Sequence, residues 1–306
     1  MAAAPTRSRW DGIWGFPLTP FGRRGIDLEL LARGSAHQLQ GGVDVLCACG
    51  MIAQLELLDR SEHAASVRTI VETASGQIPV VATLIAGRDS PWIAAAAIEA
   101  GAEGLVVIPR SSRPDAIGRC LRSIAAVAPG VPLALYHRPP LLLGVDQLRR
   151  LAEIPELSWV KDGHRDVRLF RRLRGAVERL DWVSAWEDVA LAFWALGCST
   201  FAPASTAYAP EYSVAWLGRL RAGDLAAARA LLAAHAYPLV DLRLSRSGIE
   251  ISVIKAAMES SGVPAGRTRP PARAIARDER ALVKALLADM RDALERVSQS
   301  TTTDGL

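Results

Sequence analysis

Leu157-Ser158-Trp159-Val160-Lys161-Asp162-Gly163 is the stretch on which the reading of this chain turns. Its first four residues form an apolar run short enough to be a buried strand, and the Asp-Gly pair that follows is a turn signal. Between them stands a lysine, a scarce residue here: Lys161, Lys255 and Lys284 are the only three among 36 lysines and arginines. An arginine would serve wherever a fixed charge is wanted. A lysine at the mouth of a strand can lose its proton through desolvation and become a nucleophilic amine, which arginine cannot do. The plainer reading, a lysine that ends a strand and reaches water along its own stem, is the one that position alone favours.

The pattern around that strand repeats along the chain. Apolar strand-length runs occur at 12–18, 43–49, 80–85, 103–108, 131–136, 157–161, 182–186 and 198–202. Between them lie segments of helical periodicity at 26–40, 61–75, 91–100, 114–127, 145–152, 166–178 and 189–196, with Asp27 and Ser61 as expected caps. Eight strands alternating with helices over short loops predict an α/β protein, a closed parallel (β/α)8 TIM barrel. An open dinucleotide-binding sheet would place G-x-G-x-x-G after an early strand, and the chain has none. From about Tyr212 the strand signals stop, and helices are expected at 212–221, 225–236, 239–260 and 278–297. The expected organisation is a barrel over 1–221, a helical C-terminal extension over 222–297 and a polar, Thr-rich disordered tail over 298–306.

Composition narrows the function. With 306 residues, half of them apolar, the chain has ample material for a large core. The net charge of +4 is spread along helices with Asp and Glu interleaved, so no nucleic-acid patch is expected. Cys47, Cys49, Cys120 and Cys198 lack metal or disulfide spacing and sit in apolar runs, as reduced cytoplasmic cysteines do. Residues 1–9 contain no apolar leader segment, and no run approaches eighteen uninterrupted apolar residues. A cytoplasmic protein is expected, with no metal, no cofactor and no membrane partner.

In a barrel of this type the working groups stand at the carboxyl ends of the strands. That rule picks out Thr19; Gly50, Met51 and Ile52; Arg110, Ser111 and Ser112; Tyr136, His137 and Arg138; Lys161; Glu187 and Asp188; and Pro203 to Thr206, of which Pro203 and Ala204 are the expected substrate contacts. Tyr136 and Lys161 end adjacent strands, about 4.8 Å apart, so phenol and amine are within reach of one substrate carbon. Trp159 shares its strand face with Lys161 and is expected to fill the barrel layer beneath the amine. Trp14, Trp182, Trp186 and Trp194 read as core. His164 reads as a solvated loop residue, and His37, His63 and His235 as helical residues without a role. Glu187 and Asp188 read as helix caps, and Lys255 as structural.

Five motifs carry a family resemblance: Gly15-Phe16-Pro17-Leu18-Thr19-Pro20-Phe21; Leu135-Tyr136-His137-Arg138-Pro139; Val160-Lys161-Asp162-Gly163; the run 197–210; and Ser252-Val253-Ile254-Lys255-Ala256 with Arg269-Pro270-Pro271 behind it. In this order, from about Trp10 to Met290, the chain resembles the Schiff-base lyase superfamily of dihydrodipicolinate synthase and N-acetylneuraminate lyase, and within it most the 5-dehydro-4-deoxyglucarate dehydratases. The resemblance implies that Lys161 forms an imine with a small-molecule carbonyl substrate, that Tyr136 relays protons, and that the protein is a homodimer or homotetramer. It also exposes departures. Where the family holds a 2-keto carboxylate with Gly-Thr-Thr-Gly-Glu or Gly-Thr-Gly-Glu, this chain has Gly50-Met51-Ile52-Ala53-Gln54; Arg110-Ser111-Ser112 replaces a tyrosine shared across subunits; His137 replaces an asparagine. Each lost hydrogen bond to a charged group costs on the order of 1.5 to 3 kcal/mol. A substrate less polar than an acid sugar is therefore one expectation, with Arg138 able to take over carboxylate binding as another. Retro-aldol cleavage on the same lysine, and a barrel that binds without turnover, are the alternatives.

Overall fold

The computed structural model describes residues 8–303, so the start of the N-terminal lead and the last three residues of the expected tail lie outside the described residues. Eight parallel strands pair in sequential order: β1 (Trp14–Gly15), β2 (Val45–Ala48), β3 (Val80–Ile85), β4 (Gly104–Ile108), β5 (Leu133–His137), β6 (Leu157–Asp162), β7 (Asp181–Ser184) and β8 (Thr200–Phe201). The ring closes where Ile13 bridges Phe201 in parallel and the Phe201 N–H donates to the Gly12 carbonyl at 2.8 Å. Outside the strands lie α1 (Leu28–Gln40), α2 (Arg60–Ala74), α3 (Ser90–Glu99), α4 (Pro114–Val127), α5 (Val145–Leu151), α6 (Val167–Arg174), α7 (Ala190–Ala195) and α8 (Pro210–Arg221).

The strands are apolar on both faces because each face has a different neighbour. Inside the barrel, the rings of Trp14 and Trp159 pack with centroids 5.9 Å apart. Outside it, Phe170 of α6 lies against Trp182 of β7 at 5.1 Å and stacks on Phe193 of α7 at 4.0 Å. Trp159 thus fills the layer expected of it.

Several boundaries move for local reasons. Asp59, not Ser61, caps α2, accepting the Glu62 N–H at 2.8 Å in a reciprocal capping box, since a carboxylate there reaches the free amides of the first turn. Helix α6 stops at Gly175 rather than continuing to Glu178. In the extension, α9 (Leu225–Leu231) runs through a wide turn, Leu232–Ala236, into α10 (Tyr237–Leu244). The wide turn precedes Pro238, whose missing N–H would leave a gap in regular helical bonding. Leu225–Leu244 is long and apolar enough to cross a membrane by length and composition, yet Leu231, Leu232, Leu239 and Val240 are buried against the rest of the protein. The single helix expected over 239–260 is instead two, α10 and α11 (Glu250–Ser260), broken at Gly248 with φ +88°. The last helix, α12 (Arg277–Thr303), extends past Val297 into the segment read as tail.

Candidate active site

A cavity of about 580 Å³ opens at the carboxyl ends of the strands. Lys161 and Tyr136 face it from paired positions, since Tyr136 of β5 and Lys161 of β6 are Cα partners in the parallel register. The amine is held by apolar surface: Nζ lies 3.8 Å from the ring centroid of Phe16 and 4.6 Å from that of Tyr136. Among the described residues it makes no hydrogen bond or ion pair. Burial, with Arg138 adding to it against the opposing effect of Cys47, brings its pKa down to about 8 from 10.5. Burial acts in the opposite sense on the phenol and pushes Tyr136 up to about 12. The Arg138 guanidinium, 5.7 Å from the tyrosine ring centroid, pulls the other way but does not prevail. Tyr136 is therefore a neutral phenol near pH 7, not a standing phenolate.

Two glycines make this packing possible. A Cβ on Gly163 would stand 2.8 Å from Tyr136 Cε2 and 2.9 Å from Arg138 Cβ, so the Asp-Gly pair leaves room for the phenol rather than simply turning the chain. A Cβ on Gly50 would collide with the ring of Phe16, the surface on which Lys161 rests.

Asp162 and His137 follow the amine and the phenol and anchor both strand ends. Asp162 Oδ1 accepts the N–H groups of His164 and Arg165 at 3.1 and 3.2 Å. His137 Nε2 accepts the Leu143 N–H at 3.1 Å, which leaves the proton of the neutral ring on Nδ1, 4.0 Å from Asp162 Oδ2. Burial holds His137 down to about 3 and raises Asp162 to about 7. His164 is not a solvated loop histidine: its ring lies 4.3 Å from that of His137, Nε2 is bonded to the Leu141 carbonyl at 2.6 Å, and it lines the cavity.

The other expected positions divide. Met51, Ile52, Arg138 and Ala204 line the cavity with Lys161 and Tyr136, whereas Thr19, Gly50 and Pro203 are not among its lining residues. Thr19 is buried, and its carbonyl accepts from Lys255 Nζ at 2.7 Å. Lys255 also holds the Arg267 carbonyl at 2.5 Å, a structural clasp between the first barrel loop and the extension. Gln54 pairs with the backbone of Arg269, donating to its carbonyl at 2.7 Å and accepting its N–H at 3.0 Å. Arg110 lines two smaller cavities instead.

Glu187 and Asp188 are not side-chain caps of α7. Glu187 Oε1 accepts from both the N–H and the hydroxyl of Ser205 at 3.1 Å, and Asp188 pairs with Arg165 at 3.2 Å. Trp186, read as core, lines the cavity with the Arg165 and Arg243 guanidinium carbons 4.6 and 5.2 Å from its ring. Sequence reasoning missed Phe16, Trp186, Arg165, Arg243, Glu250 and Arg273 as cavity residues. The first three follow strand ends and could have been found by the strand-end rule. The last three belong to the extension, where no local signal distinguishes an arginine facing the cavity from one facing solvent.

A closed ring of parallel strands with a buried, easily discharged amine at its carboxyl face defines a (β/α)8-barrel enzyme. The Dihydrodipicolinate synthetase family matches residues 9–290. Curated relatives include the probable 5-dehydro-4-deoxyglucarate dehydratase 2 of Streptomyces avermitilis, 33% identical over 85% of this chain and 81% of that one. The probable 5-dehydro-4-deoxyglucarate dehydratase of Bradyrhizobium diazoefficiens is 31% identical over 90% and 91%. Among solved structures, dihydrodipicolinate synthase from Bacillus clausii is 26% identical with a TM-score of 0.85, covering 92% of this chain and 98% of that one. The sialic acid aldolase of Ruminococcus gnavus shares the fold at 18% identity, with a TM-score of 0.86 over 95% of this chain and 100% of that one. The chain belongs to the Dihydrodipicolinate synthetase family and is an enzyme of the lyase class.

Proposed function

We propose that this protein is a Schiff-base dehydratase acting on 5-dehydro-4-deoxyglucarate or a closely related keto acid, with Lys161 forming the imine and Tyr136 moving protons. The observation that carries the reading is the pairing of the two groups: an amine brought down to about 8 stands 4.6 Å from the ring of a phenol on the next strand. Neutral Lys161 adds to the substrate ketone, and the carbonyl oxygen leaves as water to give an iminium. Tyr136, protonated at neutral pH, supplies a proton to that departing oxygen. The phenoxide it becomes, stabilised for the moment by the adjacent iminium, takes the proton from the neighbouring carbon. Tyr136, a neutral phenol again after that step, gives the proton to the β-hydroxyl, which leaves the enamine as water, and hydrolysis of the resulting unsaturated iminium frees the lysine.

The names of the curated relatives support dehydration, and the intact amine and phenol favour turnover over a barrel that binds without reacting. A reading as an aldolase uses the same imine and differs in which substrate bond lies parallel to its π-system. The protein is inferred to work in the cytoplasm as a homodimer or homotetramer, which light scattering would check. The deciding experiment is reduction with borohydride in the presence of 5-dehydro-4-deoxyglucarate, followed by peptide mass mapping. A secondary-amine adduct on Lys161, absent in Lys161→Arg, together with dehydrated product before reduction, is expected. An adduct whose substrate is released unchanged would favour binding without turnover, and an unlabelled Lys161 would remove the imine from consideration.

A further inference from the structure

The nitrogen that reacts changes charge as it does so, and one surface beside it suits that charge, an inference that rests on the Schiff-base reading above. Lys161 attacks as a neutral amine. As the carbonyl oxygen leaves as water, with one hydrogen of that amine and the Tyr136 proton, the nitrogen keeps its other hydrogen and becomes a cationic iminium.

The groups around Lys161 offer that cation no anion. Cys47 of β2 and Tyr136 of β5 are held neutral, burial pushing them up to about 11 and about 12, and Arg138 is itself a cation. Asp162 points to the other face of β6, where its carboxylate accepts the His164 and Arg165 amides. Glu250 pairs with Arg243 at 2.9 Å, and Glu56, at the cavity rim, is exposed.

What does meet the nitrogen is the ring of Phe16. Nζ lies 3.8 Å from its centroid, nearer than the 4.6 Å to the Tyr136 ring. Phe16 is buried, lines the cavity and packs so tightly on Gly50 that no Cβ would fit there. An aromatic face attracts a cation through its quadrupole, and more strongly where water is excluded. A carboxylate in the same place would hold the resting amine protonated and raise its pKa. The ring gives a weaker attraction, which leaves the amine easy to discharge.

We propose that Phe16 is a catalytic residue: its ring face holds the Lys161 nitrogen whenever that nitrogen is positive, and so stabilises the iminium relative to the neutral amine that precedes it.

The test thins the π face without emptying the space, by placing mono-, di- and trifluorophenylalanine at position 16. Phe16→Leu, apolar but without a ring, is read in the same way and decides the matter if a fluorinated ring does not pack. The chain has only three lysines, so NMR of isotope-labelled lysine ε-carbons follows Lys161 directly, with Lys161→Arg to assign its signal. Its midpoint, about 8 in the wild type, should move down stepwise with fluorination and fall in Phe16→Leu, because an ammonium that loses the ring gives up its proton more readily. Incubation with 5-dehydro-4-deoxyglucarate and cyanoborohydride, which reduces an iminium and spares the ketone, reads the second cation. At about pH 9 the resting amine is neutral and only the iminium needs the ring, so trifluorophenylalanine should slow trapping about tenfold. At about pH 6 resting ammonium and iminium lose the same interaction, and trapping should stay within about twofold of the wild type. A Lys161 midpoint indifferent to fluorination, or an equal loss of trapping at both pH values, as simple displacement of the amine would give, would overturn the proposal. If wild-type Lys161 is not trapped while its midpoint still follows the fluorines, the ring holds the ammonium and the imine reading falls, taking the catalytic role of Phe16 with it.

Discussion

Lys161 shows at the scale of one residue how a site conflicts with stability. Its native pKa of about 8 lies below the ordinary 10.5, so between these values the unfolded chain binds more protons than the folded one. Stability therefore rises with pH across that window, and below about 8 the cost of burying the amine is at its largest. Lys161→Met should raise the unfolding free energy at pH 7 by up to about 3 kcal/mol, and the gain should shrink towards pH 10.5. Urea melts at both ends of the range would check it. The same depression sets the pH profile of the chemistry: trapping of a ketone on Lys161 should increase with pH around a midpoint of about 8 and then level off. A rise that continued to the ordinary lysine range would contradict the burial seen here.

The elements β5 and β6 hold the pair in place through their ends, and Gly163 is the point at which this can be probed. A Cβ there, 2.8 Å from Tyr136 and 2.9 Å from Arg138, must displace the ring or the loop. Gly163→Ala should destabilise by about 1–3 kcal/mol and slow both imine trapping and turnover, kcat the more, since the displaced phenol serves once in forming the imine and again in the proton transfers that follow it. Denaturation and single-turnover kinetics measure the two halves of that expectation. At this scale much was legible in the sequence: the strands were found because buried parallel strands are continuous apolar runs, and Tyr136 and Lys161 because they end adjacent runs. The sequence does not choose between Asp59 and Ser61 as the cap of α2, because both residue types cap helices and only geometry chooses. The break at Gly248 was missed because the residues either side of it, Leu239 to Leu244 and Glu250 to Ser260, share one helical period.

Across the whole molecule, the extension completes the cavity and is tied to the barrel by buried charge. Arg243, 4% exposed, joins Glu187 beyond β7 to Glu250 at the start of α11. Removing Arg243 leaves Glu187, 2% exposed, buried without its cation, whereas Glu250, 40% exposed, turns to water, so Arg243→Ala should cost roughly 3–5 kcal/mol, nearly all of it at Glu187. Arg243→Met, which keeps the stem against Trp186 but not the charge, should cost no less at Glu187 and recover only packing. Thermal melts of both variants, with Glu187→Gln combined with Arg243→Met to remove the stranded carboxylate, would separate the two contributions; the combination should be milder than Arg243→Ala alone.

The eightfold alternation, the lysine at a strand mouth and the phenol beside it are properties of the sequence itself, because strand runs and strand ends are local patterns and adjacency in a parallel barrel follows chain order. Which residues line the remaining walls is not local. Arg243 and Arg273 lie more than eighty residues beyond Lys161 and reach the cavity only because the extension folds back over the barrel mouth. The same distinction governs protonation: a lysine and a tyrosine carry ordinary pKa values in the unfolded chain, and only tertiary burial lowers one to about 8 and raises the other to about 12.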